Sequence, residues 1–189
     1  MASPRAPKPV KLFVGMLSSD PDLLRRARQL LARTHGPAEF DSDLWPFEQT
    51  DYYEAEMGPG LKRTFVVFER LARPDDLPEI KVGTNALEQH LAEQTLSPVP
   101  RPVNLDPGYL DLNKLVLAST KDASHRLYLG RGIFGEVTLR YTEGGWQLLP
   151  WTYPDFREPH YHAFFAQVRE RYKAQRRELL AAESEEPDQ

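Results

Sequence analysis

The sequence predicts an α+β domain: a mainly antiparallel sheet with helices on one face. Three observations carry this. The first half alternates strand-like and helical patterns as β-α-β-β-α. The second half is a run of short β-rich segments with turn signals. A helical pattern closes the chain. The opening order is that of a ferredoxin-like split βαβ arrangement, which a β-hairpin extension and a C-terminal helix then follow.

Val10–Leu17 (VKLFVGML) is an apolar run of strand length and reads as a buried strand. Asp20 and Pro21 then suit the cap and first position of a helix, and Leu23, Ala27, Leu30 and Leu31 share one helical face. Gly36 and Pro37 stop it. Glu39–Phe47 reads as a weakly patterned strand, and Asp51–Gly60 as a polar loop ending in a Gly58-Pro59-Gly60 turn. Thr64–Phe68 (TFVVF) is rich in strand formers. Pro74 begins a second helix, with Ile80, Thr84, Leu87 and Leu91 at helical spacing, although Gly83 weakens it. Leu112–Ala118, His125–Leu129, Gly132–Tyr141 and Trp146–Leu149 read as strands, the last two joined as a hairpin by Glu143-Gly144-Gly145. Pro159 opens the final helix, whose stripe is Phe164, Phe165, Val168 and Tyr172. Residues 1–9 read as a disordered lead-in, 10–180 as one domain, and 181–189 as an acidic disordered tail.

Composition narrows the function classes. The chain has 189 residues, 24 Lys plus Arg against 28 Asp plus Glu, and no cysteine. That excludes a disulfide framework, a thiolate nucleophile and Cys-ligated metal. A net charge of −4 does not describe a general polyanion binder. No apolar run approaches the roughly 20 residues of a membrane span, and the N-terminus lacks the apolar region of a signal peptide. A soluble cytoplasmic protein is expected.

Several motif matches fail. Gly130, Gly132, Gly135 and Val137 fit the glycine-rich loop of kinases, but no catalytic HRD loop or DFG motif follows. The segment after Gly135 is strand-like, which removes the dinucleotide-binding version too. A glycine-bearing bend between strands is the plain reading. Thr120-Lys121-Asp122 is one residue short of the guanine-reading motif, and no GxxxxGK[ST] occurs. His160 and His162, two apart near a helix start, point about 200° apart, so one packed and one exposed histidine is the plain reading, and a metal pair with Asp155 nearby is the alternative. Arg169, Arg171, Lys173, Arg176 and Arg177 make the last helix basic. A solvated face explains this, and an RNA- or protein-interaction surface is the alternative.

The more informative signal is charge where strands are expected. Arg126 and Glu136 lie on neighbouring strand segments and are placed to meet across them. Asn104–Tyr109 reads as a tight turn. Ser119-Thr120-Lys121-Asp122 follows an apolar strand, and Thr50–Glu56 offers three carboxylates and two phenols. If these loops converge, Lys81, Arg101, Lys121 and Arg126 hold anionic oxygens. Glu54, Asp106 and Glu136 then hold Mg²⁺ or move protons, and Tyr153 forms a stacking wall. A small phosphorylated or nucleotide-like ligand fits that mixture, acted on by an enzyme or held by a binding domain. A water-facing sheet with ordinary ion pairs is the structural alternative.

The segments TDYYEAEMG, KVGTN, RPVNLDPGY, LVLASTKDASHR, GIFGEVTL and WTYPDF, in this order, resemble the bacterial proteins grouped as domain of unknown function 4416, from about Val10 to Tyr172. The resemblance implies a small bacterial cytoplasmic family and brings no established activity, fold or catalytic residue. Similar proteins sometimes carry a GTP-binding label, which the motifs above do not support in this chain.

Overall fold

A computed structural model describes residues 3–49 and 53–185. Its centre is β1 (Val10–Ser18), buried at every position. Because successive side chains of a strand point to opposite faces, a strand with no exposed position must be covered on both. Leu12, Val14 and Met16 pack under α1 (Pro21–His35) and α3 (Leu77–Glu93). Phe13 packs on the other face under α4 (Pro159–Glu185), against Phe164, Phe165 and Val168. The sequence placed the helices on one face. That describes α1 and α3, whereas α4 covers the opposite face.

The first helix begins as expected. Asp20 accepts a hydrogen bond from the Asp22 amide at 2.8 Å, and Pro21 occupies the first turn. Gly36, at φ 93°, ends it with an N–H to the Ala32 carbonyl. The chain returns as β2 (Ala38–Asp41) and β3 (Trp45–Pro46), two short strands in place of the single one expected. Both pair with β4 (Lys62–Ala72). Between them and β4 lies a one-turn helix, α2 (Glu54–Met57), in the stretch read as loop.

Among the described residues the strands form one sheet, ordered β2-β4-β1-β5-β6-β8-β7, with every pairing antiparallel. The first four are the split βαβ arrangement, completed by β5 (Asn104–Leu110). The extension consists of β6 (Lys114–Ser119), β7 (Leu127–Gly130), β8 (Ile133–Thr142) and β9 (Gly145–Leu148). Glu143 and Gly144, both at positive φ, form the two-residue β8–β9 turn. The glycine-rich stretch is the β7–β8 turn, with Gly130, Arg131 and Gly132 at positive φ. The last helix runs to Glu185, past the expected domain edge at residue 180.

β5 is the main correction. Asn104–Tyr109 carries turn-forming Asp106, Pro107 and Gly108, yet it is a strand paired along its whole length with β1. Burial against β1 overrides the local preference. Pro107 has no N–H to donate and stands one residue beyond the β6 ladder, which registers only Gly108–Leu110 against Leu115–Leu117. Gly108 is required by space: a Cβ there would lie 2.4 Å from the Val116 carbonyl oxygen and 2.6 Å from the Phe13 ring. β5 and β6 therefore pair tightly at one end and lose their registered pairing at the other.

Gly108→Ala is expected to destabilise the fold by about 1–3 kcal/mol through overpacking. Gly83→Ala, in an exposed part of α3 with open space at its Cβ, is expected to stabilise it by about 0.5–1 kcal/mol. Urea unfolding of both variants checks the pair.

Candidate functional site

Where β5 and β6 lose their pairing, side chains from several segments enclose a cavity of about 640 Å³. Asp106 stands on β5 just before Pro107. Lys81, from α3, approaches it from one face of the sheet, with Nζ 3.2 Å from Oδ1 and 3.0 Å from the Leu105 carbonyl. Arg63 shares its phase on β4 with Phe65 and Val67 and approaches from the face that α4 covers. Its Nη1 is 3.6 Å from Asp106 Oδ2. One carboxylate thus meets cations from both sides of the sheet. Burial alone would raise the Asp106 carboxyl, but Lys81 and Arg63 outweigh it and hold it below the usual carboxylate range.

A second group extends this wall. Arg101 Nη2 lies 3.0 Å from Glu88 Oε2 and also donates to Asn104 Oδ1. Glu88 Oε1 accepts from the Leu105 amide at 2.7 Å. Burial pushes the Glu88 carboxyl up against the pull of Lys81 and Arg101.

The opposite wall is built around Arg126. Its Nε donates to Glu136 Oε2 at 2.8 Å, Nη1 to Ser119 Oγ at 3.0 Å and the Lys121 carbonyl at 2.8 Å, and Nη2 to the Tyr153 hydroxyl. Glu136, 2% exposed, also faces His125 Nε2 at 3.0 Å, and the Thr138 hydroxyl donates to its Oε1. The Trp151–Asp155 corner delivers the floor. Thr152 ties it down by donating to the Thr138 carbonyl at 2.6 Å, and Trp151 Nε1 donates to the Val137 carbonyl at 2.9 Å. Asp155 then sits with Oδ2 3.6 Å from Arg63 Nη2. Burial raises its carboxyl against the attraction of Arg63. Asp155 Oδ2 and Arg63 Nε are buried without a hydrogen-bond partner. Burial, reinforced by Asp106, pushes the Tyr53 phenol up to about 12. Burial with Glu136 raises Tyr153 too.

Lys81, Arg101, Asp106, Lys121, Arg126, Glu136 and Tyr153 all line this cavity. Glu54 does not: it is exposed on α2 and borders a second hollow with Pro46, Glu48 and Gly58. Glu56 is exposed and reaches Arg101 at 3.7 Å. Thr50, Asp51 and Tyr52 of that loop lie outside the described residues. Arg63, Glu88 and Asn104 escaped sequence reasoning. Arg63 had a signal in its period-two phase with Phe65 and Val67. Glu88 had one too, sharing the spacing of Lys81, Thr84 and Leu91 along α3.

Residues 8–172 match the family described as domain of unknown function (DUF4416). The chain belongs to the DUF4416 family. No curated protein and no solved structure matches it significantly.

In this DUF4416 protein the donor set does not favour Mg²⁺. Among the described residues no group of three or more Asp, Glu or His side chains is placed to hold a metal. Asp106 and Glu136 each contact cations instead. His160 lies against Trp45, its ring tilted by 52°, while His162 Nε2 donates to the Phe156 carbonyl at 2.8 Å, so the two imidazoles engage different partners. The basic final helix is tied to its own chain through Arg169 on the Leu112 carbonyl, Arg171 on Glu39 and Lys173 beside Glu170. Among the described residues no helix is long and apolar enough to cross a membrane.

The carboxylates predict opposing responses to pH. Asp106, held low, contributes stability above its unfolded value of about 4, and this is lost as pH falls through the depressed value. Asp155 and Glu88, held high, contribute most in acid, and their share is lost as pH rises through the raised values. Asp106→Asn is therefore expected to flatten the acid limb of melting temperature against pH. An unchanged acid limb contradicts the assignment.

Proposed function

We propose that the cavity binds a small phosphorylated or nucleotide-like molecule. The observation that supports this reading is the gathering of Lys81, Arg101, Lys121 and Arg126 with Arg63 around one hollow large enough for such a ligand. Ser119, Thr120 and Lys121 bring hydroxyls and an ammonium to one wall, the chemistry that receives phosphate oxygens. Arg126 acts mainly by positioning. Its donors already reach Ser119, the Lys121 carbonyl, Glu136 and Tyr153, and so fix the loop that meets the anion. Tyr53, Tyr153 and Phe47 supply flat walls for a ring. Asp106 is the ionised acceptor. Asp155, whose buried carboxyl retains a proton more readily, is suited to proton transfer, while Glu136 accepts from Arg126 and helps to fix it.

A thermal-shift panel of nucleoside phosphates and sugar phosphates tests the reading. A ligand at a hundred times its Kd is expected to stabilise the fold by about 2.7 kcal/mol. Replacing Ser119 and Lys121 by Ala is expected to abolish that shift. Reversing charge at Arg176 and Arg177 is expected to leave it intact. Silence across the panel overturns the reading, and loss of the shift only on reversal at Arg176 and Arg177 transfers binding to the final helix.

A further inference from the structure

The last edge of the sheet is apolar and open. β8 pairs with β6 along one side. Along its other side β7 covers residues 133–135 and β9 covers residues 139–142. Between them the Trp151 indole donates to the Val137 carbonyl at 2.9 Å and takes the place of a strand. Among the described residues nine large apolar side chains are exposed, and five of them stand in this one row: Leu129 (41%), Tyr128 (63%), Leu127 (75%), Trp151 (37%) and Leu148 (47%).

The opposite edge is guarded. On β2, Glu39 pairs with Lys11 and Arg171, and Asp41 with Arg28. Charges on an edge strand deter pairing with another edge. β7 reads Leu-Tyr-Leu-Gly, with no charge and no proline. As the last strand in the sheet order, it leaves one row of backbone groups without a neighbouring strand. Its side chains are already held in place. Leu129 packs over Gly135, where a Cβ would lie 2.8 Å from Leu129 Cδ1, and Tyr128 rests on Phe134 with ring centroids 5.4 Å apart. Little ordering remains to be lost on association.

We propose that this edge joins two copies of the chain, β7 against β7, in a two-fold dimer with one continuous sheet. An antiparallel edge is its own complement about an axis normal to the sheet. With that axis at Tyr128, Leu127 of each copy stands opposite Leu129 of the other, and Tyr128 opposite Tyr128. Apolar side chains then meet, and the paired strands set no like charges face to face. In this register the partner's β7–β8 turn continues past Leu127 and comes level with Val137, beside Trp151 and Leu148. The five side chains expose roughly 500 Å² in all, at about 200 Å² for one large side chain. Two copies together bury about 1,000 Å², the size at which specific interfaces begin.

Sedimentation of the full chain from about 1 μM to 1 mM tests this. The mass is expected to rise to twice that of the monomer and level off, with a dissociation constant on the order of 10 μM. Leu127→Lys, at the most exposed position of the row, is expected to weaken association at least about tenfold. Leu96→Lys, equally exposed but beyond the far end of α3, is expected to leave it unchanged. The chain has no cysteine, so Tyr128→Cys is expected to give a disulfide-linked dimer on oxidation. Leu127→Cys is expected to link far less, because its two copies stand about 7 Å apart along the strands. A chain that stays monomeric throughout, or a mass that keeps growing past two copies, overturns the dimer. So does an association that Leu127→Lys leaves unchanged and Tyr128→Cys does not link.

Discussion

Asp106 occupies the point on which the site depends. It stands on a strand where sheet pairing stops on one side, because Pro107 has no N–H to continue the ladder and Gly108 is the last residue registered with β6. The gap lets Lys81 reach one carboxylate oxygen from the α3 face while Arg63 approaches the other from the opposite face. A continuous ladder would separate these cations by the thickness of a sheet. The side chain that meets both therefore also joins the two packed layers at one polar hollow.

Such an arrangement is costly as a device for stability alone. Buried ion pairs lose water on both partners, and well-packed apolar residues of similar volume often serve a fold as well or better. Here four pairs lie around one hollow, and the Arg63–Asp155 pair is held at 3.6 Å with neither Arg63 Nε nor Asp155 Oδ2 hydrogen-bonded. Ordinary core packing surrounds them, with Phe65 against Phe165 and Tyr161 on one side and Leu12, Val14 and Leu105 on the other. Apolar layers pack on both faces around this clustered charge, and clustered, perturbed charge in a hollow is the feature on which the proposed ligand site rests.

Much of the architecture was legible because local and global preferences agree there. Asp20-Pro21 starts a helix both by propensity and in fact, and the Glu143–Gly144 turn matches the twist of its hairpin. β5 was illegible because its residues favour a turn locally, and only the partner strand β1, far away in sequence, imposes extension. The position of α4 was readable in principle: a strand as continuously apolar as Val10–Leu17 requires cover on both faces. The lining residues divide in the same way. Arg126 and Glu136 betrayed themselves as charges on strand segments, whereas Arg63 lay just outside the strand that TFVVF marked. Glu54 shared the composition of its neighbours but not their direction, because the short helix α2 turns it toward solvent.

The most direct measurement is a map of amide chemical shifts as a phosphate monoester is titrated into the isotopically labelled protein. If the gap between β5 and β6 is the binding site, the amides of Asp106, Ser119, Lys121 and Tyr153 move together with one dissociation constant. Shifts confined to Arg176 and Arg177 on α4, with those four amides unmoved, would contradict the account.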